Sequence, residues 1–283
     1  MATDERIWWV DDSGALELTD LADYAVLEGQ QGLLMPPFEM SEEVAAGRHG
    51  ARLRNVRAGV RVVDLPLWLE GDDEADLLTL RRALAGRLDP TREGRLRVQA
   101  ADGNQRELYC RYSGGLEGGV QRTPSLMRCV LTFRAHDPFF YAASVVSTSW
   151  GLVACTFGWF PFFPLRLWSS AYFGDPVIVN AGDVEAWPQW TVTGPGRNLA
   201  LRNLTTGEAL VLATTLLASQ TLAIDTRPYY GTITHSVDGR LAIPSGSSLW
   251  PLAKGNNSLR IELSGATVDS DVRLSYYPRY WSA

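Results

Sequence analysis

His49, His136 and His235 are the only histidines in the chain, and Cys110, Cys129 and Cys155 are the only cysteines. No two histidines form an HxH or HxxxH pair and no two cysteines form CxxC, so the ligand spacing of a zinc hydrolase or a structural zinc site is missing. An odd number of thiols without a framework of spacings reads as reduced, buried side chains. Nucleophilic catalysis of the hydrolase type needs a GxSxG elbow, and phosphate binding needs a Walker loop or a GxGxxG turn opening a helix after a strand; none of these patterns occurs. Gly114-Gly115 and Gly118-Gly119 look like a phosphate cradle, but they follow a strand and precede no helix, which makes them a bulge or loop. With 32 acidic residues, some carboxylate pair suited to glycoside hydrolysis is always available, so such a pair points to nothing. What remains is aromatic. Trp187, Tyr229, Tyr230 and Trp250 lie in a strand-rich half where ring faces can stack on sugars or meet a partner, although large aromatics more often fill sandwich cores. Trp250 is the most informative of them, because it follows the Gly- and Ser-rich stretch Ser245-Gly246-Ser247-Ser248. No catalytic residue, metal ligand or cofactor-binding residue is assigned, and no cofactor is expected.

The elements that must carry these residues belong to a folded chain. It has 283 residues, 46% of them hydrophobic and 20% charged, enough to build two cores and to offset the entropy of ordering the backbone. The net charge of −6, with Lys254 the only lysine, leaves no basic footprint for phosphate backbones, so sequence-specific nucleic-acid binding is disfavoured. From Pro138 to Leu165 no residue carries a formal charge, and the length alone permits a membrane span. Gly151, Gly158, Pro161, Pro164 and several serines dilute and break that segment, so an aromatic linker or strand packed on protein is preferred and no membrane span is expected. Met1-Ala2-Thr3-Asp4-Glu5 is acidic where a signal peptide is basic, which places synthesis and assembly in a cytoplasm.

Patterning divides the chain. Arg6–Val10 and Ala15–Leu18 read as strands around Asp11-Asp12-Ser13-Gly14, and Val60–Leu69 is β-rich with Pro66 arguing for an edge or bend. Asp72 or Asp73 caps a helix from about 73 to 88, with Leu77, Leu80, Leu84 and Leu88 at helical spacing, and Asp89-Pro90 ends it. Arg95–Ala100 and Arg106–Tyr112 alternate around Asp102-Gly103 as a hairpin, and Arg128–Ala135 puts Cys129, Leu131, Phe133 and Ala135 on one face. Beyond about Asp183 there is no helix, only short strands at roughly 8- to 12-residue spacing, the pattern of a sandwich. The fold class is mainly β: two β-sandwich-type domains, the first with one α-helix and a β-hairpin. The expected division is an N-terminal domain over 1–145, an aromatic linker over 146–180 and a C-terminal sandwich over 181–283 that folds on its own.

The order of several short motifs resembles a known family. They are Asp76–Leu84 closed by Leu88-Asp89-Pro90; the hairpin around Asp102-Gly103-Asn104; Tyr112-Ser113-Gly114-Gly115; and Ala135-His136-Asp137-Pro138-Phe139-Phe140-Tyr141. In the second half they are Asn203-Leu204-Thr205-Thr206-Gly207, Leu222–Thr226, Leu252–Asn257 and Tyr276-Tyr277-Pro278-Arg279-Tyr280. Together they are similar to the distal tail proteins of phages with long non-contractile tails, the siphovirus tail component family. Residues 145–176 depart from that pattern, being longer and more aromatic than a plain linker. The resemblance implies a hexameric homo-oligomeric ring formed by the N-terminal domain, with a galectin-like or carbohydrate-binding-module-like C-terminal domain projecting from it. It implies a virion protein of a phage, or of a tail-like particle such as a gene transfer agent. Such a hub joins the tail tube protein to tip and receptor-binding proteins, lets DNA through unread and carries no catalytic residues. A second reading is a carbohydrate-binding protein that recognises host surface glycan through the C-terminal sandwich, with Trp250, Trp187, Tyr229 and Tyr230 as contacts. A third, a wall-degrading enzyme, has no motif behind it.

Overall fold

The computed structural model describes residues 5–117, 121–152 and 172–283. The chain forms two compact units, Met1–Ala143 with Tyr280–Ala283, and Ser144–Arg279.

In the first unit the strands are β1 (Arg6–Asp11), β2 (Gly14–Glu17), β3 (Tyr24–Val26), β4 (Phe38–Glu43), β5 (Arg52–Ala58) and β6 (Arg61–Glu70). Helix α1 (Glu74–Arg87) follows, then β7 (Gly94–Gln99), β8 (Gln105–Gly114), β9 (Gln121–Arg122), β10 (Leu126–Ala135) and β11 (Phe140–Ala142). The main sheet runs β2-β1-β7-β8-β10-β6-β3. Long β8 serves two ladders: its first half pairs with β7, from Gln105 opposite Gln99 to Cys110 opposite Gly94. Its second half pairs with β10, where Gly114 faces Thr132 and Tyr112 faces Phe133. That one-residue slip is a β-bulge at Ser113, and it accounts for the glycine pair after it. Gly115 has φ +119, and a Cβ there would lie 1.8 Å from the Val130 carbonyl oxygen, so only glycine fits. Pro66 sits where β3 has ended. Its carbonyl accepts from Leu27 N–H, and its missing N–H faces that same side, just past the end of the β3 ladder rather than toward β10.

Helix α1 starts where Asp73 accepts a hydrogen bond from Asp76 N–H at 2.8 Å, with Glu74 and Asp76 in the first turn and Arg87 in the last. Charges and cap both match the helix dipole. Leu77, Leu84 and Leu88 are buried in one cluster with Trp9, Leu67, Leu96, Leu108, Leu131 and Phe133. The helix end is tied to the β1–β2 turn, since the Arg87 guanidinium bridges to both Asp11 oxygens at 2.8–2.9 Å and Trp9 Nε1–H donates to the Arg87 carbonyl. The Arg87 hydrogen bond holds the Asp11 carboxyl below its ordinary range. Leu84, fully buried, is the sharpest test of this packing. Leu84→Asp sets an unpaired carboxylate in the cluster, and a loss of several kcal/mol, on the order of 4, or outright failure to fold is expected in a thermal melt.

The second unit contains β12 (Val146–Gly151), β13 (Tyr172–Gly174), β14 (Val177–Asn180), β15 (Gln189–Thr193), β16 (Gly196–Asn203) and β17 (Glu208–Leu216). It continues with β18 (Thr221–Asp225), β19 (Thr232–His235), β20 (Gly239–Leu241), β21 (Gly255–Ser264) and β22 (Asp271–Tyr276). One sheet runs β12-β22-β15-β18-β19-β20 and the other β13-β21-β16-β17, with β14 also on β21. Their inner faces share one core, including Trp190, Val192, Leu201, Leu212, Ile224, Trp250, Ile261, Val272 and Leu274. The alternation expected for the last strand is present: Val272, Leu274 and Tyr276 are buried and Asp271, Arg273 and Ser275 are not. This is a two-layer sandwich.

The boundaries differ from the expected linker. Val146–Gly151 pairs residue for residue with β22, and β13 and β14 pair with β21, so the described parts of 146–180 belong to the second unit's sheets. The cause lies outside the local pattern, because β12 is an edge strand whose exposed residues show no hydrophobic run. Cys155 and the aromatics from Phe157 to Phe163 lie outside the described residues. The last four residues return to the first unit, so the sandwich does not extend to the C-terminus as expected.

Candidate interaction surface

The cores claim most of the chemistry-bearing residues. Cys110 and Cys129 are buried free thiols, and burial pushes their pKa values up to about 12 and about 11. Neither is a nucleophile at neutral pH. Iodoacetamide is expected to leave both unmodified in the native protein and to alkylate both in denaturant, as read by peptide mass spectrometry. His235 is buried, and its Nδ1 accepts from Val237 and Asp238 N–H at 3.2 and 3.1 Å, which makes it the cap of the β19–β20 turn. Among the described residues no cluster of three or more His, Cys, Asp or Glu side chains is arranged to hold a metal. A shallow cavity of about 220 Å³ opens between Trp9, Asp11, Arg87, Asp89 and Arg92, but its central pair, Asp11 and Arg87, satisfy one another. Glu107, almost fully buried, is likewise consumed by Arg95 and Arg97 at 2.7–2.8 Å. No described helix is long and apolar enough to cross a membrane.

The four aromatic candidates separate. Trp250 is 1% exposed, meets Trp190 edge to face at 5.8 Å and donates from Nε1 to the Leu201 carbonyl. It is a core residue, as large aromatics of a sandwich more often are, and it leaves the set of surface contacts. The pocket that receives the ring is made by β16 and β15, through Leu201 and Trp190. Trp187 is half-buried in the segment leading into β15. Tyr229 and Tyr230 stand at the surface, at 105% and 64% exposure. They form the turn Arg227-Pro228-Tyr229-Tyr230 between β18 and β19, closed by Tyr230 N–H donating to the Arg227 carbonyl at 3.2 Å. Beneath it, Asp225 grips the Arg227 guanidinium at 2.7–3.1 Å and accepts from Gln189 Nε2, while Arg227 lies over the Tyr230 ring at 5.0 Å.

Two motifs of the second unit meet in space. Asn203 and Asn257 are both buried; Asn203 Nδ2–H donates to Asn257 Oδ1, Asn203 Oδ1 caps Thr205 and Thr206, and Asn257 closes on Ala253 and Gly255. Paired asparagines thus lock two turns 54 residues apart in sequence, which ties their spacing to one architecture. Residues 181–280 match the siphovirus-type tail component C-terminal domain, and residues 20–116 match the phage tail protein RIFT-related domain. The chain belongs to the siphovirus-type tail components, the distal tail proteins. Among solved structures this tail component is similar to the crystal structure of SPP1 Dit (gp 19.1), described as a paradigm of hub adsorption apparatus in Gram-positive infecting phages. That likeness has a TM-score of 0.69 and 15% identity over 97% of this chain and 98% of that one. It is also similar to a chain of the phage P2 baseplate in its activated conformation with Ca, at TM-score 0.53 and 10% identity over 96% and 97% of the two chains. The same baseplate with Sr gives 0.53 and 11% over the same shares. At these identities the likeness is one of fold. No curated protein matches the chain.

Two features of the tail component escaped the sequence reading. One is the hairpin β4–β5, a two-stranded sheet of its own whose residues are almost all exposed. Its signal was present in charge, as Glu39 and Glu43 lie on one strand and Arg57 and Arg54 on the other, and these pair across it. The other is Arg61, fully buried and without a carboxylate partner among the described residues. Its guanidinium donates to the carbonyls of Pro138, Gly32, Leu34 and Trp281 and packs over the Phe140 ring at 4.9 Å.

Proposed function

We propose that this chain is the structural hub at the distal end of a phage tail, assembled in the host cytoplasm as a hexameric ring that joins the tail tube to tip and receptor-binding proteins and lets DNA pass. The observation that carries this reading is the pair of tail-protein domains, in order, on a chain whose fold follows the SPP1 hub protein along nearly its whole length. The exposed hairpin supports self-association. Met40 faces Val56 and Phe38 faces Ala58 across it, and Met40, Val44, Leu53 and Val56 are 44–74% exposed. An isolated two-stranded hairpin with an apolar face is marginal alone and gains stability when a neighbour covers it. The net charge of −6 suits a channel that lets DNA slide without holding it. The hub works by rigid packing and has no hydrolytic step.

Mass photometry and negative-stain microscopy of the purified chain test the reading. A sixfold ring is expected, and Met40→Lys combined with Val56→Lys is expected to shift it to folded monomers. A monodisperse monomer at micromolar concentration, both alone and mixed with the tail tube protein, would overturn it. So would release of reducing ends from peptidoglycan that a single Asp or Glu substitution abolishes.

A further inference from the structure

Tyr229 breaks a local rule. In the turn Arg227–Tyr230, proline stands at the second position and Tyr229 at the third, with φ +67. A turn of this kind requires positive φ at its third position, and Gly or Asn is the residue that adopts it without strain. A bulky aromatic there is an outlier of the kind that persists where something other than stability keeps it. Packing does not keep it, because the side chain is 105% exposed and touches no core. The underlying support is nonetheless stiff. Asp225, on β18, holds Arg227 through both carboxylate oxygens, and Arg227 in turn covers one face of Tyr230. Gln189 on the neighbouring strand β15 fixes Asp225 from the other side.

We propose that the Arg227–Tyr230 turn is a saccharide-binding tip, in which the open Tyr229 ring stacks on the apolar C–H face of a neutral pyranose and Tyr230, braced by Arg227, flanks it. Size and charge select this occupant. Two tyrosine side chains offer at most a few hundred Å², well short of the roughly 800 Å² per side of a stable protein interface, but enough for one or two sugar rings. Asp225 and Arg227 neutralise one another, so the pair that braces the two rings adds no net charge to the tip. Tyr229 contributes its ring face, and the Tyr230 hydroxyl, able to donate and accept, meets a sugar hydroxyl. A rigid aromatic with two side-chain torsions loses little entropy on binding. The inference stands apart from the hub reading, since it concerns one loop of the sandwich whatever the oligomeric state.

Saturation-transfer NMR on the full-length chain, with maltotetraose, chitotetraose and galactotetraose as probes at millimolar concentration, tests it. Transfer to at least one of the three is expected. Tyr229→Phe is expected to keep the affinity within about twofold. Tyr229→Asn, which suits the positive φ, is expected to weaken binding by about tenfold or more while the melting temperature stays level or rises. Transfer to none of the three would overturn the proposal, as would binding unchanged in Tyr229→Asn. A fall in melting temperature of more than about 5 °C in that variant would overturn it too, by making the ring structural. Absence of saccharide transfer, together with loss of a tail-tip protein from the Tyr229→Asn assembly, would assign the tip to a protein partner instead.

Discussion

Arg61→Met is expected to destabilise the first unit by about 3–5 kcal/mol, the scale set by leaving buried polar groups without partners. Methionine replaces the volume of the arginine stem but none of its donors. The carbonyls of Gly32, Leu34, Pro138 and Trp281 would then face a dry interior unpaired. Burial lowers the Arg61 pKa only to about 10, so the guanidinium stays charged at neutral pH and its hydrogen bonds are charge-assisted. Arg61→Lys should rescue little, because an ammonium with three donors cannot serve four diverging carbonyls. The distinctive readout is at the C-terminus. The Ala283 N–H, which donates to the Leu33 carbonyl, should lose its hydrogen-exchange protection in the variant before the helix and the central strands do. A melt and an exchange pattern equal to those of the parent chain would show that the four bonds are replaceable by water.

Trp250→Ala is expected to cost the second unit about 3–5 kcal/mol, the range for truncating a large buried aromatic. The ring's loss opens a cavity beside Trp190 and removes a side-chain donor to the Leu201 carbonyl. Chemical denaturation followed by near-ultraviolet circular dichroism checks it, since the Trp190–Trp250 pair contributes to that signal. Tyr229→Asn makes the matched contrast. It removes a ring from the same unit at full exposure, and its effect on stability should fall within about 0.5 kcal/mol or be favourable. If the two variants melted alike, the separation of core from surface aromatics described above would be wrong.

The sequence by itself determined whatever is encoded in short-range chemistry. Asp73, the leucine spacing and Asp89-Pro90 define helix α1 to within a residue at each end, because capping, periodicity and proline sterics act over one turn. Asp102-Gly103 places the β7–β8 turn for the same reason, with Gly103 at φ +83. Alternation marked the buried faces of β10 and β22, since a strand exposes its pattern at period two wherever one face meets a core. The order of these local signals was enough to point to the family.

Tertiary structure decided what depends on partners distant in the chain. Val146–Gly151 offers only Trp150 to the core, against Trp190, and became a strand because β22 offered a free edge. Trp250 and Tyr229 are equally aromatic in the sequence, yet one is sealed by β15 and β16 while the other is lifted into solvent by a turn whose strain no composition reveals. Arg61 has the sequence signature of a surface charge at the start of a strand. It is interior because the loops around Gly32 and Pro138 and the residues near Trp281 deliver four carbonyls to one point. Burial and pairing are properties of the environment that closes around a side chain, and that environment is assembled from segments up to 220 residues apart, beyond the reach of any local pattern.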